Sequence, residues 1–220
     1  MRNFRMTCIK KENTPALAKQ KPLIMCDNVS VERGGVPLFD GLGFSLLEGR
    51  GLVLSGANGS GKTTLLKLLA GIMPPKTGEV ALQDGLELTD LLFIGHQNAL
   101  KLELTVLENL MFWTKIRGEP MLLSAAVNHM GLQSIIDTPC RELSAGWRRR
   151  VCLAKLICCP SKIWLLDEPT ANLDAEGEQI VLNLIKARLG GGGGVIAAMH
   201  HVSDEYKQVL AHSIHITDFL

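Results

Sequence analysis

The sequence predicts an α/β protein: a mostly parallel sheet wrapped by helices, with an antiparallel β region at the N-terminal end and a helical subdomain inserted at about residues 98–160. Three observations predict it. Beyond residue 50, short apolar runs alternate with helical segments, the pattern of strands joined by helical crossovers. One run, Leu52-Val53-Leu54-Ser55, passes through a glycine-rich loop straight into Leu65-Leu66-Lys67-Leu68-Leu69-Ala70, a string of helix formers. A second, Ile163-Trp164-Leu165-Leu166, ends in two adjacent carboxylates, Asp167 and Glu168.

In chain order, residues 1–22 stand apart. Six basic residues (Arg2, Arg5, Lys10, Lys11, Lys19, Lys21) face one acid, Glu12, without the apolar stretch of a secretory signal. They read as a disordered tail, with a basic segment drawn to an anionic membrane surface as the sharper alternative. The folded domain is expected over 23–220. Residues 23–32 alternate Val29 and Val31 with polar neighbours, Gly34-Gly35 turns the chain, and 38–47 returns, so this pair is expected to flank the strand at 52–55. Strands are expected again at 79–83 and 91–95. Thr105 with Glu108 three residues on forms a capping box that opens a helix to about Ile116. A second helix covers 121–130 and Gly131 closes it. One helix following Ser144 runs to about Cys159, where Pro160 stops it. A strand at 162–166, a helix at 175–189, a strand at 195–199, a short helix near 203–210 and a last strand near 213–217 complete the alternation.

The glycine loop is Gly56-Ala57-Asn58-Gly59-Ser60-Gly61-Lys62-Thr63-Thr64, which fits Gly-x4-Gly-Lys-[Ser/Thr], a phosphate-binding loop. Its glycines let consecutive backbone N–H groups turn toward one point, and the helix that follows adds its positive end. Lys62 is expected to reach the β- and γ-phosphates of a nucleotide, and the Thr63 hydroxyl to hold Mg²⁺. Asp167 lies at the C-terminal end of its strand, where ligands bind in open α/β sheets, and would hold the same ion through water. Glu168, one residue further toward the γ-phosphate, is placed to polarise the attacking water as a general base.

Totals narrow the function. The 220 residues suffice for one large domain, and 46% hydrophobic content suffices for its core. A formal net charge of +1 argues against a nucleic-acid binder dominated by phosphate contacts. No apolar run reaches membrane-spanning length, so any membrane role is expected to be peripheral, through a partner. Cys8, Cys26, Cys140, Cys152, Cys158 and Cys159 form no Cys-x-x-Cys pair and read as small buried thiols.

Further motifs carry a family resemblance. Leu143-Ser144-Ala145-Gly146, before a helix and about 20 residues ahead of Asp167-Glu168, resembles the signature motif of ATP-binding-cassette ATPases. Gln97 resembles that family's Q-loop glutamine, Ala171-Asn172-Leu173-Asp174 its D-loop, and His200 its switch histidine, with His201 as the competitor. The motifs follow family order over 23–217. The resemblance implies ATP hydrolysis with Mg²⁺ bound by Thr63, Asp167 and Gln97. It implies Glu168, His200 and Gln97 as the catalytic residues. It also implies a head-to-tail homodimer in which Ser144, Ala145 and Gly146 of one copy meet the γ-phosphate held by the other. Two departures are visible. Trp147 stands where the family usually has glutamine, and Glu32-Arg33 stands where it usually stacks an aromatic ring on adenine, leaving Arg33 as the candidate to stack by cation–π contact.

Within cassette ATPases, the chain resembles the ATP-binding subunits of the haem exporters of cytochrome c maturation. The resemblance rests on Leu92–Lys101 and Leu104–Leu110, on Leu143-Ser144-Ala145-Gly146 with Arg149-Arg150, and on Ile163–Pro169. It implies integral membrane subunits as partners, and peripheral attachment to the inner face of a bacterial inner membrane or a mitochondrial equivalent. It does not imply that haem touches this chain: no direct haem ligand is evident, there is no Cys-x-x-Cys-His, and His96 reads more simply as a loop residue than as an axial ligand. The ATPase of another small transporter and a soluble iron–sulfur assembly scaffold remain the alternatives.

Overall fold

The computed structural model describes residues 22–219, beginning with a long hairpin: β1 (Pro22–Arg33) and β2 (Val36–Leu47) pair antiparallel around Gly34-Gly35. β3 (Gly51–Ser55) delivers the glycine loop and α1 (Lys62–Leu69) leaves it. β4 (Thr77–Leu82) returns to pair with β1, giving an antiparallel sheet of order β2-β1-β4. The strands β5 (Leu91–Ile94), β6 (Ile163–Asp167), β7 (Gly194–Ala198) and β8 (His212–His215) join β3 in a second sheet of order β5-β6-β7-β3-β8, parallel at every pairing. Between β5 and β6 lie α2 (Val106–Arg117), α3 (Leu123–His129), α4 (Ala145–Leu153) and α5 (Lys155–Cys158). α6 (Ala175–Gly190) links β6 to β7, and α7 (Asp204–Val209) links β7 to β8. Among the described residues, no helix is long and apolar enough to cross a membrane.

The strands β3, β6 and β7 are buried on both faces, and the two faces serve two cores. Leu52, Leu54, Ile163, Leu165, Ile196 and Ala198 pack toward the hairpin and α1. Their neighbours Val53, Trp164, Leu166, Val195 and Ala197 pack toward the helices between β5 and β6, and toward α6. Period-two side-chain alternation within continuous apolar runs produces this division. It also explains a correction: β1 and β2 do not flank β3, whose neighbours in the sheet are β7 and β8. A short strand apolar on both faces takes parallel partners from helical crossovers. The alternating, hairpin-joined β1 and β2 instead form a layer that covers one face, with β4 as their third strand.

Local signals set most helix ends. Thr105 Oγ1 accepts from Glu108 N at 3.2 Å, and Glu108 Oε2 accepts from Thr105 N at 2.8 Å, so the capping box forms at the start of α2. The helix expected up to Cys159 is instead two pieces. The carbonyl of Ala154 accepts from both Ile157 N (3.0 Å) and Cys158 N (3.1 Å), a tightened turn that separates α4 from α5. The second helix of this region is α3, shortened because Pro120 opens a separate single turn at Pro120–Leu122. The final strand ends at His215, and Ile216–Phe219 turn instead of extending to 217. Pro22, taken with the tail, opens β1, while the reading of residues 1–21 and the thiol of Cys8 lie outside the described residues. The five described cysteines are buried and free.

Candidate functional site

β3 enters the loop at Ser55, and the chain reaches α1 through Gly61 at φ 101°. A Cβ on Gly61 would come within 3.3 Å of the Phe39 ring, so both the backbone angle and the packing require glycine there. Lys62 is 7% exposed, and its Nζ donates to the carbonyls of Gly56 (2.8 Å) and Ala57 (3.0 Å). Two of its three N–H donors are therefore committed to the loop, and one remains for a phosphate oxygen. Ala57, Asn58 and Gly59 are exposed at the loop's tip, Thr64 is half-buried behind it, and Ser60 Oγ is buried with no hydrogen-bond partner among the described residues.

The loop meets the acidic strand end directly. Thr63 Oγ1 donates to Asp167 Oδ2 at 2.8 Å across 104 residues of sequence, and Asp167 is 2% exposed. A hydroxyl and a carboxylate brought together are the hard oxygen donors that Mg²⁺ takes, so these residues fit that ion. Glu168 follows with φ 49°, a left-handed conformation that costs a non-glycine residue on the order of 1 kcal/mol or more. The turn aims its carboxylate at His200, whose backbone N–H donates to Oε2 at 3.3 Å and whose Nε2 lies 3.5 Å from Oε1. His201 is exposed and makes no such contact with Glu168. Gln97 is exposed on the loop after β5 and, with Thr63 and Asp167, lines a cleft of about 670 Å³ whose far wall is Trp113, Arg117 and Lys155.

Ser144 caps α4: its Oγ accepts from Trp147 N at 3.3 Å. Ala145 is exposed beside it, and Gly146 lies so close to the 171–174 turn that a Cβ would sit 2.7 Å from Asn172 O. Ser144, Gly146, Trp147, Arg150, Asn172 and Asp174 surround a second hollow of about 230 Å³. Arg150 Nη2 bonds Asp174 Oδ1 (2.6 Å) and Glu176 Oε2 (2.9 Å) there. Burial of the guanidinium opposes its charge, but the two carboxylates outweigh burial and raise its pKa. Within one chain, the residues of this hollow and those of the larger cleft line separate spaces. Trp147 is half-buried, with the Arg150 guanidinium 5.2 Å from its ring.

The structure does not bring Arg33 to these groups. It stands exposed at the hairpin end of β1, opposite Val36, and lines neither cleft. His96 lines the larger cleft as an exposed loop residue. One residue left without a role by the sequence is Arg149, which is 2% exposed and donates to the backbone carbonyls of Asp167, Glu168 and Pro169. Its only signal was position: in Arg148-Arg149-Arg150 each side chain leaves the helix about 100° from the last, so all three cannot face water.

Comparisons with known proteins identify the family. A family model described as ABC transporter matches residues 39–171, more than half of the chain. A cytochrome c biogenesis ATP-binding export protein, CcmA, of Rhodopseudomonas palustris (strain BisB5) is 44% identical over 173 residues, covering 76% of this chain and 86% of that protein. The protein of the same name from Rhizobium meliloti (strain 1021) is 43% identical over 189 residues, covering 80% and 90%. Among solved structures, an ABC transporter ATP-binding protein from Pyrococcus furiosus superposes with a TM-score of 0.74 at 21% identity, covering 89% of this chain and 98% of that one. The structure of another ATP-binding subunit of an ABC transporter gives 0.73 at 21% identity, covering 82% and 80%. The fold, the motifs in their order and these matches together place the chain in the ABC transporter family, as one of its ATP-binding ATPases.

Proposed function

We propose that this chain is the ATP-hydrolysing subunit of the exporter that serves cytochrome c maturation, driving haem handling by integral membrane partners. The observation that supports the hydrolytic part best is the joined site: the Thr63 hydroxyl on Asp167, with Glu168 next in the chain and held beside His200. The export assignment rests on identity of 44% to a cytochrome c biogenesis export protein, spread over most of both chains.

In this reading, the loop 56–61 and α1 present N–H groups to the phosphates, and Lys62 turns its remaining N–H to the β/γ bridge. Thr63, Asp167 and Gln97 would hold Mg²⁺, which when bound neutralises charge developing on the phosphate oxygens. Glu168 accepts the proton of the attacking water, and His200 stabilises γ-phosphate charge while keeping the Glu168 carboxylate oriented. Ser144 and the tip of α4 serve the nucleotide of a second copy, so two chains close over two ATP molecules and hydrolysis releases them. Attachment to the membrane is peripheral, through the partner subunits.

The test has two parts. Cells lacking this chain should lose covalently haemylated cytochromes c, and a tagged chain should co-purify with integral membrane subunits of that system. Normal cytochromes c, or co-purification with unrelated permeases or soluble assembly proteins, would reject the export assignment and leave the ATPase intact.

A further inference from the structure

Arg149 makes five hydrogen bonds, one for each N–H of its guanidinium. Nε donates to Pro169 O at 3.3 Å, and Nη2 donates to Asp167 O and Glu168 O, both at 2.8 Å. Nη1 donates to Gly95 O at 2.9 Å and Asn98 Oδ1 at 3.1 Å. None of the five acceptors is a carboxylate oxygen. The cation is held mainly by main-chain carbonyls at 2% exposure, an arrangement whose net stability is small but whose geometric demand is high. Three of the acceptors are consecutive carbonyls of the turn that puts Glu168 at φ 49°. The other two bracket Gln97 from either side. The residue itself rides on α4, whose N-cap is Ser144.

We propose that Arg149 is a positioning residue: it fixes the Glu168 turn and the Gln97 loop to the helix that Ser144 begins, so that the three move as one unit when that helix tip engages phosphate. A strained turn persists only where its surroundings over-determine it, and three donors aimed at its carbonyls supply that determination. A planar fork is needed because a lysine ammonium cannot span carbonyls on two separate loops. The inference rests on the roles given above to Glu168 and Gln97.

The experiment is steady-state hydrolysis by the full chain with its membrane partners, comparing Arg149→Gln, Arg149→Lys, Gln97→Ala, the Arg149→Gln/Gln97→Ala double variant and Glu168→Gln. Arg149→Gln should lower kcat by about tenfold to a hundredfold with KM for ATP changed less than about threefold, as misplacement of a catalytic group does. Arg149→Lys should rescue little. The double variant should lose far less than the product of its single losses, because residues that act as one unit are not additive. A wild-type kcat in Arg149→Gln, or multiplicative losses in the double variant, overturns the proposal. If Arg149→Gln fails to fold, Asn98→Ala removes one acceptor from the same joint, and a wild-type kcat there overturns it equally. An active Glu168→Gln would instead reject the underlying assignment of the base, so the two failures are separable.

Discussion

The glycine loop before Lys62 and the segment at Ser144 each open a helix, yet they are finished differently. Around the loop three side chains already have partners from the same chain: Lys62 on two carbonyls, Thr63 on Asp167, Glu168 beside His200, while one Lys62 N–H and the Ser60 hydroxyl have none among the described residues. Around Ser144 the hydroxyl caps only its own helix, and its surface lies open in a hollow apart from the loop. Gln97 is likewise exposed. One half of the proposed machinery is preorganised within the chain, and the other half is a capped helix tip beside an open hollow. The proposed pairing of two copies supplies the missing half of each.

Substitutions can break or sharpen this contrast. Glu168→Gln should have the largest effect, lowering kcat by about 10²–10⁴-fold, the range for loss of a general base, while ATP still binds. Normal turnover, measured by phosphate release, would remove Glu168 from its role. Lys62→Ala should weaken ATP binding by about tenfold to a hundredfold, the range for hydrogen bonds to charged groups, and calorimetry on the single chain reads it. Ser144→Ala should behave in the opposite way. It loses an N-cap worth about 1 kcal/mol in thermal unfolding and keeps single-chain ATP affinity. If that affinity fell as it does in Lys62→Ala, the two halves would not be separable.

The smallest expected effect is a pH dependence at the Arg150–Asp174 pair. The Arg150 guanidinium, and then the Gly177 N–H, hold the Asp174 carboxyl below its ordinary value of 3.8. A depressed folded pKa means that the stability from this group is complete above the ordinary value and is lost as pH falls through the folded one. Asp174 is largely exposed, so the loss is slight. Melting curves between about pH 6 and about pH 3 should fall slightly less steeply in Asp174→Asn than in the natural chain. Identical slopes would show that the pair contributes nothing to stability.

Legibility in the sequence followed the range of the interaction. The glycine loop, the capping box at Thr105 and the apolar strand before Asp167 are local patterns, each set by a few adjacent residues, and each was readable. The neighbours of β3 were not. Which strands lie side by side depends on long-range pairing, since both neighbours of β3 begin more than a hundred residues after it, and the hairpin's alternation says which face is apolar but not which sheet it joins. The break at Ala154 was hidden for a different reason: the flanking residues are good helix formers, and only packing tightened the turn. Arg33 rests on resemblance alone. Family resemblance proposes it for the base by sequence position, and the hairpin carries it to an exposed end.

The central claim is that two copies close over ATP, each completing the other's site. Sedimentation of Glu168→Gln with Mg·ATP tests it most directly. The account predicts a dimer that appears with ATP, dissociates when ATP is removed, and is lost when Ser144→Arg is added. A Glu168→Gln chain that binds ATP yet stays monomeric, alone and with its membrane partners, would contradict it.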